Sequence, residues 1–137
     1  MYLLDTCLLS ELIRKEPNQG VLDWIKDKEE SSLFLSVLTI GELKEGIVKL
    51  KPSTKKKELT QWFAELESRF KDRIIPIDIQ ISLKWGEIQA NLEVNGNSMP
   101  TIDSLIASTA LCKNLIVVTR NGKDMKQSHV EILNPWV

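Results

Sequence analysis

Four acidic residues stand where predicted strands give way to helices, and they are the residues of this sequence best suited to chemistry. They are Asp5, Glu42, Asp103 and Asp124. Because the carboxyl ends of parallel strands share one edge of a sheet, we expect the four carboxylates to meet at that edge. Carboxylates held together repel one another strongly unless cations lie between them. The pattern therefore predicts a site for a hard metal ion and indicates a metal-dependent hydrolase.

The ligand types favour Mg²⁺ or Mn²⁺ as the metal, because both ions prefer carboxylate and water oxygens. A zinc site is not expected, since the sequence has no cluster of cysteine and histidine, and its only histidine, His129, is isolated near the chain end and is predicted to lie on the surface. A bound ion lowers the pKa of a water molecule and stabilises charge on a phosphoryl oxygen. Phosphodiester hydrolysis is the reaction expected of such a site, with one ion or with two that lie about 4 Å apart.

Each acid also has a purely structural interpretation. Asp5 could cap the N-terminus of the first helix, and Glu42 could form a capping box with Thr39. Asp103 could complement a helix dipole, and Asp124 could cap the short turn at 125–128. For any one acid the structural interpretation is the stronger of the two. Only the convergence of all four on one predicted edge favours a functional site.

Five short apolar runs are predicted to be strands, and the first four are nearly continuous in Leu, Ile and Val. Such runs are typical of strands that are covered on both faces. The predicted strands cover residues 2–4, 33–37, 74–77, 115–118 and 130–133. Helical patterns alternate with them, so we expect an α/β fold: a three-layer α/β/α sandwich around a parallel sheet of about five strands.

Helical spacing of apolar residues is found over 40–50, 59–70, 81–92 and 102–110, and a first helix is predicted over 8–14. The segment 51–53 breaks the two central helices into a hairpin, and Asn95-Gly96-Asn97 ends the helix that follows. Pro100 requires an extended approach to a helix that begins near Thr101. A further acid at a strand end, Asp78, is interpreted as an N-cap and left out of the site.

Composition and charge indicate an ordinary globular protein with one domain spanning residues 1–137, of which 42% are apolar and 27% charged. The net charge of −1 gives no global basic field, so a nucleic-acid partner would have to be bound locally or through metal. Cys7 and Cys112 lack metal-ligand or redox spacing and are predicted to be reduced thiols buried in apolar surroundings. Without a leader-like N-terminus or an apolar run of about 20 residues, we predict a cytoplasmic protein with no membrane span.

Five segments resemble, in collinear order over the whole chain, the PIN-domain ribonucleases of the VapC and FitB type, which are toxins of prokaryotic type II toxin–antitoxin pairs. The segments are YLLDTCLLSEL, SVLTIGELKEGI, MPTIDSLIASTAL, IVVTRNGKDM and the terminal ILNPWV. The resemblance implies a compact parallel α/β fold, dependence on Mg²⁺ or Mn²⁺ and endonucleolytic cleavage of RNA. It also implies homodimerisation and a cognate antitoxin.

The resemblance also assigns roles to individual residues. The acidic set of the family falls on Asp5, Glu42, Asp103 and Asp124, the last of which acts in some relatives through water. Polar neighbours that support this set fall on Thr6, Thr119, Arg120 and Asn121. The chain departs from the pattern at Cys7, where many relatives have Asn after the Asp-Thr pair.

Two surfaces are candidates for partners. Lysines around the helix break, Lys51, Lys55, Lys56 and Lys57, together with Arg120 beside the acids, could bind RNA phosphates, although a solvated loop is an equal alternative for the lysines. An apolar stripe on the second hairpin helix could serve a dimer or an antitoxin helix. The stripe consists of Leu59, Trp62, Phe63 and Leu66.

Two other functions remain open from the sequence. A PIN nuclease of RNA processing would have the same site but no antitoxin. A PIN-like binding module would use the acids only as helix caps and would have no activity to lose when metal is removed.

Overall fold

A parallel sheet of five strands forms the centre of the structure, a computed structural model that describes residues 1–137. The strands are β1 (Tyr2–Leu4), β2 (Leu33–Ser36), β3 (Ile74–Ile75), β4 (Ile116–Val118) and β5 (Ile132–Leu133). Their order is β3-β2-β1-β4-β5, and every neighbouring pair is parallel. The central strand is therefore β1, and its carboxyl end leads directly to Asp5.

Six helices cover the two faces of this sheet. They are α1 (Thr6–Leu12), α2 (Gln19–Asp27), α3 (Val37–Val48), α4 (Thr54–Arg69), α5 (Ile79–Val94) and α6 (Thr101–Lys113). Successive side chains of a strand point to opposite faces, so Leu3 packs in one apolar core with Ile106 and Leu4 packs in another with Phe63. The predicted three-layer α/β/α sandwich is confirmed.

The predicted strands were right in number and order, but four of the five were too long. Strand β2 ends before Val37 because Ser36 caps α3, its hydroxyl oxygen accepting the N–H of Leu38 at 3.1 Å. Strand β3 ends before Pro76, which has no N–H to donate to a ladder. The first helix begins at Thr6 and ends at Leu12, two residues earlier at each end than predicted.

Helix α2 was missed by the sequence analysis. It has an N-cap, since the side-chain oxygen of Asn18 accepts the N–H of Val21 at 3.3 Å, but Val21 is its only fully buried residue. The predicted breaks are confirmed: α3 ends at Val48, α4 begins at Thr54, and Gly96 follows α5 with a φ of 71°. No helix has both the length and the hydropathy that a membrane crossing requires.

The last four residues bind the start of the chain through two side chains. Glu11, which is 4% exposed on α1, accepts the Nε1–H of Trp136 at 3.1 Å through Oε1 and the N–H of Asn18 at 3.0 Å through Oε2. The amide of Asn18 accepts the N–H of Val137 and donates to the Val137 carbonyl. A Cβ on Gly20 would lie 2.4 Å from the carbonyl oxygen of Pro135, so this residue must be small. We call residues 134–137 the tail.

The hydrogen bond from Trp136, followed by that from the Asn18 N–H, lowers the pKa of Glu11 from its ordinary value. The ionised carboxylate therefore stabilises the fold above the unfolded-state pKa, and this contribution is lost as the pH falls through the lower folded-state pKa. We expect Glu11→Gln to lower the midpoint of urea unfolding at neutral pH, and we expect its difference from the wild type to shrink on acidification.

Glu16→Gln is the matched control, because Glu16 is exposed and makes no ion pair. Urea unfolding of the three proteins at a series of pH values measures the effect. A difference between Glu11→Gln and the wild type that stays constant over that series would contradict the assigned role of the Glu11 charge.

Candidate active site at the carboxyl edge of the sheet

Asp5 lies at the carboxyl end of the central strand and is fixed by contacts on both sides. Its N–H donates to the Val118 carbonyl at 3.0 Å, which continues the pairing of β1 with β4. One carboxylate oxygen accepts the N–H of Thr6 at 2.9 Å, and the other accepts the hydroxyl of Thr119 at 2.8 Å. Asp5 is therefore the N-cap of α1, as the structural interpretation expects, but only one of its oxygens serves that role.

Thr119 is fully buried directly after β4, and its hydroxyl oxygen also accepts the N–H of Asn121 at 3.1 Å. This side chain therefore orients Asp5 and closes the turn that leads to Asp124. The side chain of Asn121 is exposed, and the hydrogen bond that this residue makes to Thr119 comes from its backbone N–H.

Glu42 is joined to the start of α1 by a short hydrogen bond, in which the Thr6 hydroxyl donates to Oε1 at 2.6 Å. The prediction that Glu42 lies in the first turn of its helix was wrong, because α3 begins at Val37. The alternative capping box fails for the same reason, since the N-cap is Ser36 and Thr39 lies inside the helix. The side chain of Glu42 thus serves the carboxyl edge and not the end of its own helix.

Asp103 is half-buried in the first turn of α6 and makes no hydrogen bond. Burial raises its pKa first of all, and the charges of Asp5, Asp124 and Glu42 raise it further. An acid whose role was to complement a helix dipole would have its charged form stabilised and its pKa lowered. Asp103 has the opposite shift, mainly because it is partly buried, and the smaller contributions of the other three acids indicate that their charges lie near it.

Asp124 is exposed and precedes a 3₁₀ helix, Met125–Ser128, without capping it through its side chain. The predicted turn is confirmed, but the capping interpretation of Asp124 is not. Its effect on the pKa of Asp103 places its charge in the same neighbourhood. The N-cap interpretation of Asp78, the acid left out of the site, is confirmed by the N–H of Ile81, which donates to it at 2.9 Å.

The present rotamers do not form a closed set of metal ligands, since no three side chains of His, Cys, Asp or Glu stand close enough to hold one ion. Repulsion among like charges favours rotamers that separate the carboxylates. The donor chemistry nevertheless fits a hard divalent cation, because the nearby donors are carboxylate oxygens and Asp103 has no protein donor to neutralise it.

Cys7 occupies a polar position between the first and fourth strands, so the prediction of apolar surroundings was wrong for this residue. Its sulfur lies 3.4 Å from the Thr119 hydroxyl and accepts the Arg120 N–H at 3.5 Å. Burial, as the main cause, raises the pKa of the Cys7 thiol, which keeps it protonated. Both cysteines are free, as predicted, but they are half-buried.

The basic residues fall into three groups. Lys51, Lys55 and Lys57 are exposed on the hairpin, where they remain available for RNA. Lys56 is half-buried, and its ammonium donates to the carbonyls of Val48 and Leu50, which caps the end of α3. Arg120 is exposed next to Thr119, and its guanidinium lies over the ring of Trp136 at 5.9 Å from the centroid.

The contact between Arg120 and the tail was not found by sequence reasoning. Glu11, which holds Trp136, was the available signal, because it is a lone acid within the apolar segment CLLSELI. His129 is exposed, as predicted, and adopts a left-handed backbone conformation.

The model of the PIN domain family matches residues 2–130 of the chain. Curated relatives include the plasmid stability protein StbB of Pseudomonas syringae pv. tomato, which is 34% identical with 99% of each chain covered. VapC ribonuclease Y4jK of Sinorhizobium fredii is 31% identical, with 99% of this chain and 98% of the relative covered. Toxin FitB of Neisseria gonorrhoeae is 31% identical, with 99% of each chain covered.

The fold is also similar to a solved structure. The crystal structure of FitAcB from Neisseria gonorrhoeae superposes with a TM-score of 0.94 at 31% identity, and 99% of each chain is covered. The similarity thus extends over all five strands and over the edge where the acids converge. The chain belongs to the PIN-domain family, among relatives of the VapC and FitB type.

Proposed function

We propose that this protein is a metal-dependent endoribonuclease that acts in the cytoplasm as the toxin of a type II toxin–antitoxin pair. The reaction is hydrolysis of an RNA phosphodiester, with Mg²⁺ or Mn²⁺ as the cofactor. One observation carries the proposal: Asp103 is half-buried without a hydrogen-bond donor while three other carboxylates raise its pKa. The name of the Sinorhizobium relative, a ribonuclease, supports the choice of RNA.

The residues that would hold the ion are Asp5, Glu42 and Asp103, with Asp124 acting directly or through water. When bound, a divalent ion supplies Lewis acidity for a phosphoryl oxygen and lowers the pKa of a water molecule. The protein contributes orientation. The hydroxyls of Thr119 and Thr6 each donate to one carboxylate oxygen, of Asp5 and Glu42 respectively, and fix the direction of that side chain.

Half-burial of Asp103 has a consequence for the proposed reaction. A partly desolvated carboxylate interacts more strongly with a cation than an exposed one does, because the local dielectric is lower. Asp103 lies between the buried face of α6, which includes Ser104 and Ala107, and the exposed carboxyl edge of the sheet. We expect RNA to reach the acids from that edge. The arrangement favours cleavage of RNA that approaches from the carboxyl edge.

The partner that we propose is an antitoxin protein that docks between α1, α2 and α4. A cavity of about 200 Å³ opens there, and most of its lining is apolar: Leu4, Leu9, Leu12, Ile25, Leu33, Trp62, Leu66 and Phe70. The stripe predicted for a partner is divided in the structure. Phe63 is a buried core residue, whereas Trp62 is half-buried and lines the cavity. The relative FitB is named a toxin, which supports a partner of this kind.

A homodimer forms part of the same proposal. Exposed apolar residues recur along the outer face of α5, with Ile79 exposed by 79%, Leu83 by 65% and Val94 by 84%. Gly86 and Ala90, also exposed, complete the stripe at helical spacing. A second copy that packs on this stripe would bury it without covering the acidic edge.

Metal removal is the first test of the activity. We expect purified protein to cleave RNA in the presence of Mg²⁺ or Mn²⁺, to lose that activity in EDTA and to regain it when Mg²⁺ is added in excess. Gel analysis of a labelled RNA reports the cleavage. Protein with Asp103→Asn, purified in parallel, controls for contaminating nucleases, and undiminished cleavage in EDTA would overturn the metal-dependent mechanism.

Asp103→Asn separates catalysis from a structural role. The raised pKa means that the ionised form is disfavoured in the folded state and lowers stability as the pH rises above the ordinary value of 3.8. Without metal, the variant should therefore melt at the same temperature as the wild type or slightly higher. Its rate of RNA cleavage should fall by more than the roughly 10–100-fold that loss of an outer-shell partner costs.

Asp78→Ala is the opposite control, since Asp78 caps α5 away from the site. We expect it to lose about 1 kcal/mol of stability and to keep full activity. Thermal melts without metal and cleavage rates of both variants decide the matter. A destabilised Asp103→Asn protein with full activity would show that Asp103 is structural.

Expression in cells tests the toxin assignment. Because an open nuclease edge would degrade RNA of the host, expression of this chain alone should arrest growth, whereas expression of Asp103→Asn should not. Co-expression of the small gene adjacent to its own should restore growth and yield a complex that copurifies. Light scattering of the Asp103→Asn chain should give the mass of a homodimer if the proposed packing on α5 is right.

Harmless expression of a folded wild-type chain that cleaves RNA in vitro would contradict the toxin assignment. It would favour a PIN nuclease of RNA processing in its place. A monomeric mass of the Asp103→Asn chain at micromolar concentration would contradict the dimer on α5.

A further inference from the structure

A small cavity with three basic residues lies at the same edge of the sheet as the acids. Its volume is about 210 Å³, and Arg120, Lys123 and Lys126 line it together with Thr119 and Asn134. None of the three cations forms a salt bridge with a carboxylate of the protein. We call this cavity the cationic pocket. Because no carboxylate of the protein pairs with these cations, the cationic pocket can bind an anion from outside the protein.

The cationic pocket and the acidic site share a wall. Thr119 lines the pocket, and its hydroxyl donates to Asp5 at 2.8 Å, so the first carboxylate lies one side chain away. Asp124 stands between Lys123 and Lys126 in the sequence and acts on the pKa of Asp103. An anion in the pocket would thus lie next to the acids, which themselves repel anions. A nucleic-acid backbone could fit both sites. One phosphate would lie in the cationic pocket, and the neighbouring phosphate would lie at the metal ion that the acids are proposed to hold.

The tail fixes the direction of Arg120 within this pocket. The guanidinium lies over the ring of Trp136, and the indole Nε1–H of Trp136 is held by Glu11 at 3.1 Å. Two contacts therefore fix the indole ring: Glu11 accepts its N–H at the edge, and the Arg120 guanidinium lies over its face. The pKa of Glu11 is lowered, so its carboxylate is ionised at neutral pH, the form that accepts the indole N–H of Trp136.

We propose that the cationic pocket binds an RNA phosphodiester next to the scissile one, and that Trp136 is a positioning residue that orients Arg120 for this contact. The inference rests on the proposed ribonuclease function and adds the site that holds its substrate. A planar guanidinium can donate two parallel hydrogen bonds to a phosphate, which requires a fixed orientation. The indole of the tail supplies that orientation.

A second basic cavity in the molecule is less suited to an anion. It lies between α1 and α4 and is lined by Arg14, Lys15, Lys55 and Glu58. Arg14 is already paired with Glu11 at 3.3 Å, and Glu58 adds a negative charge to the lining. The cationic pocket has neither of these features.

Binding of RNA is measured in the Asp103→Asn background, so that cleavage does not interfere. The probe is a fluorescent single-stranded oligoribonucleotide in Mg²⁺, titrated at several salt concentrations between about 50 and 200 mM. Each lost phosphate contact should reduce the slope of log K against log salt by about 0.7 for a single strand. We expect Arg120→Ala and the pair Lys123→Ala/Lys126→Ala to weaken binding and to lower that slope. Lys71→Ala, an exposed lysine on the opposite part of the sheet, is the matched control and should change neither.

The positioning role is tested at residue 136. Trp136→Leu keeps the apolar bulk but removes the aromatic face, whereas Trp136→Phe keeps a face. We expect Trp136→Leu to weaken binding about as much as Arg120→Ala, and the double variant Arg120→Ala/Trp136→Leu to be no worse than Arg120→Ala alone. Trp136→Phe keeps an aromatic face but loses the N–H that Glu11 accepts, so its affinity should lie between those of Trp136→Leu and the wild type. Arg120→Lys, which keeps the charge without the planar fork, should behave like Trp136→Leu. Circular dichroism melts show which variants are folded at the assay temperature, and Arg120→Lys leaves the tail intact.

The outcomes separate the proposals. If the pocket variants bind RNA as tightly as Lys71→Ala does, the pocket assignment is wrong even when the wild type cleaves RNA. If Arg120→Ala weakens binding but Arg120→Lys and Trp136→Leu do not, Trp136 has no positioning role. If the pocket variants lose affinity while the wild-type chain never cleaves RNA with any divalent ion, the RNA site stands and the nuclease proposal falls.

Discussion

The parallel pairing of β1 between β2 and β4 is the constraint on which the arrangement of the site depends. Because the strands run in the same direction, their carboxyl ends meet at one edge, and Asp5 and Thr119 follow two adjacent strands there. The register then brings the Asp5 N–H to the Val118 carbonyl at 3.0 Å and the Thr119 hydroxyl to the Asp5 carboxylate. A shift of one residue in this register would point Asp5 into the opposite face.

Repulsion among carboxylates gathered in this way destabilises the folded state, and the four acids differ in the hydrogen bonds that offset it. Asp5 and Glu42 each receive a hydroxyl donor, from Thr119 and Thr6. Asp103 receives none and has the raised pKa. Burial without a donor disfavours the charged form of Asp103, so this acid contributes less to the stability of the fold than Asp5 and Glu42 do.

The sequence predicted the fold well, and with it the edge at which the four acids lie, because both follow from patterns that are local in sequence. Continuous apolar runs between helical patterns predict parallel strands, and parallel strands place Asp5 and Asp103 at one edge whatever the exact element ends are. The errors concern the exact ends of elements, which single capping contacts decide. Ser36, not Thr39, caps α3, and this moved Glu42 from the first turn to the second. The ammonium of Lys56 also has a structural role that the sequence did not indicate, because it donates to the Val48 carbonyl at the end of α3.

Contacts between residues far apart in the chain were beyond the sequence patterns. Nothing in the local sequence connects Trp136 with Glu11, which lies 125 positions away, or with Arg120. Helix α2 was missed for a related reason. Its stability depends on Asn18, whose amide is held by the last residue of the chain, and only one of its own residues is fully buried.

A net charge of −1 conceals the strong local field that this edge of the sheet carries. Four carboxylates and three cations lie along that edge, and their charges nearly cancel in the sum although no salt bridge joins them. Charges closer together than about 8 Å are hardly screened at physiological salt, so an approaching strand experiences the separate patches. A polyanion with bound divalent ions is complementary to such a surface. Its phosphates can bind the basic side chains of the protein, and its divalent ions can bind the carboxylates. The absence of a global basic field therefore says little about whether this protein binds nucleic acid, because the recognition is decided over the width of a single edge.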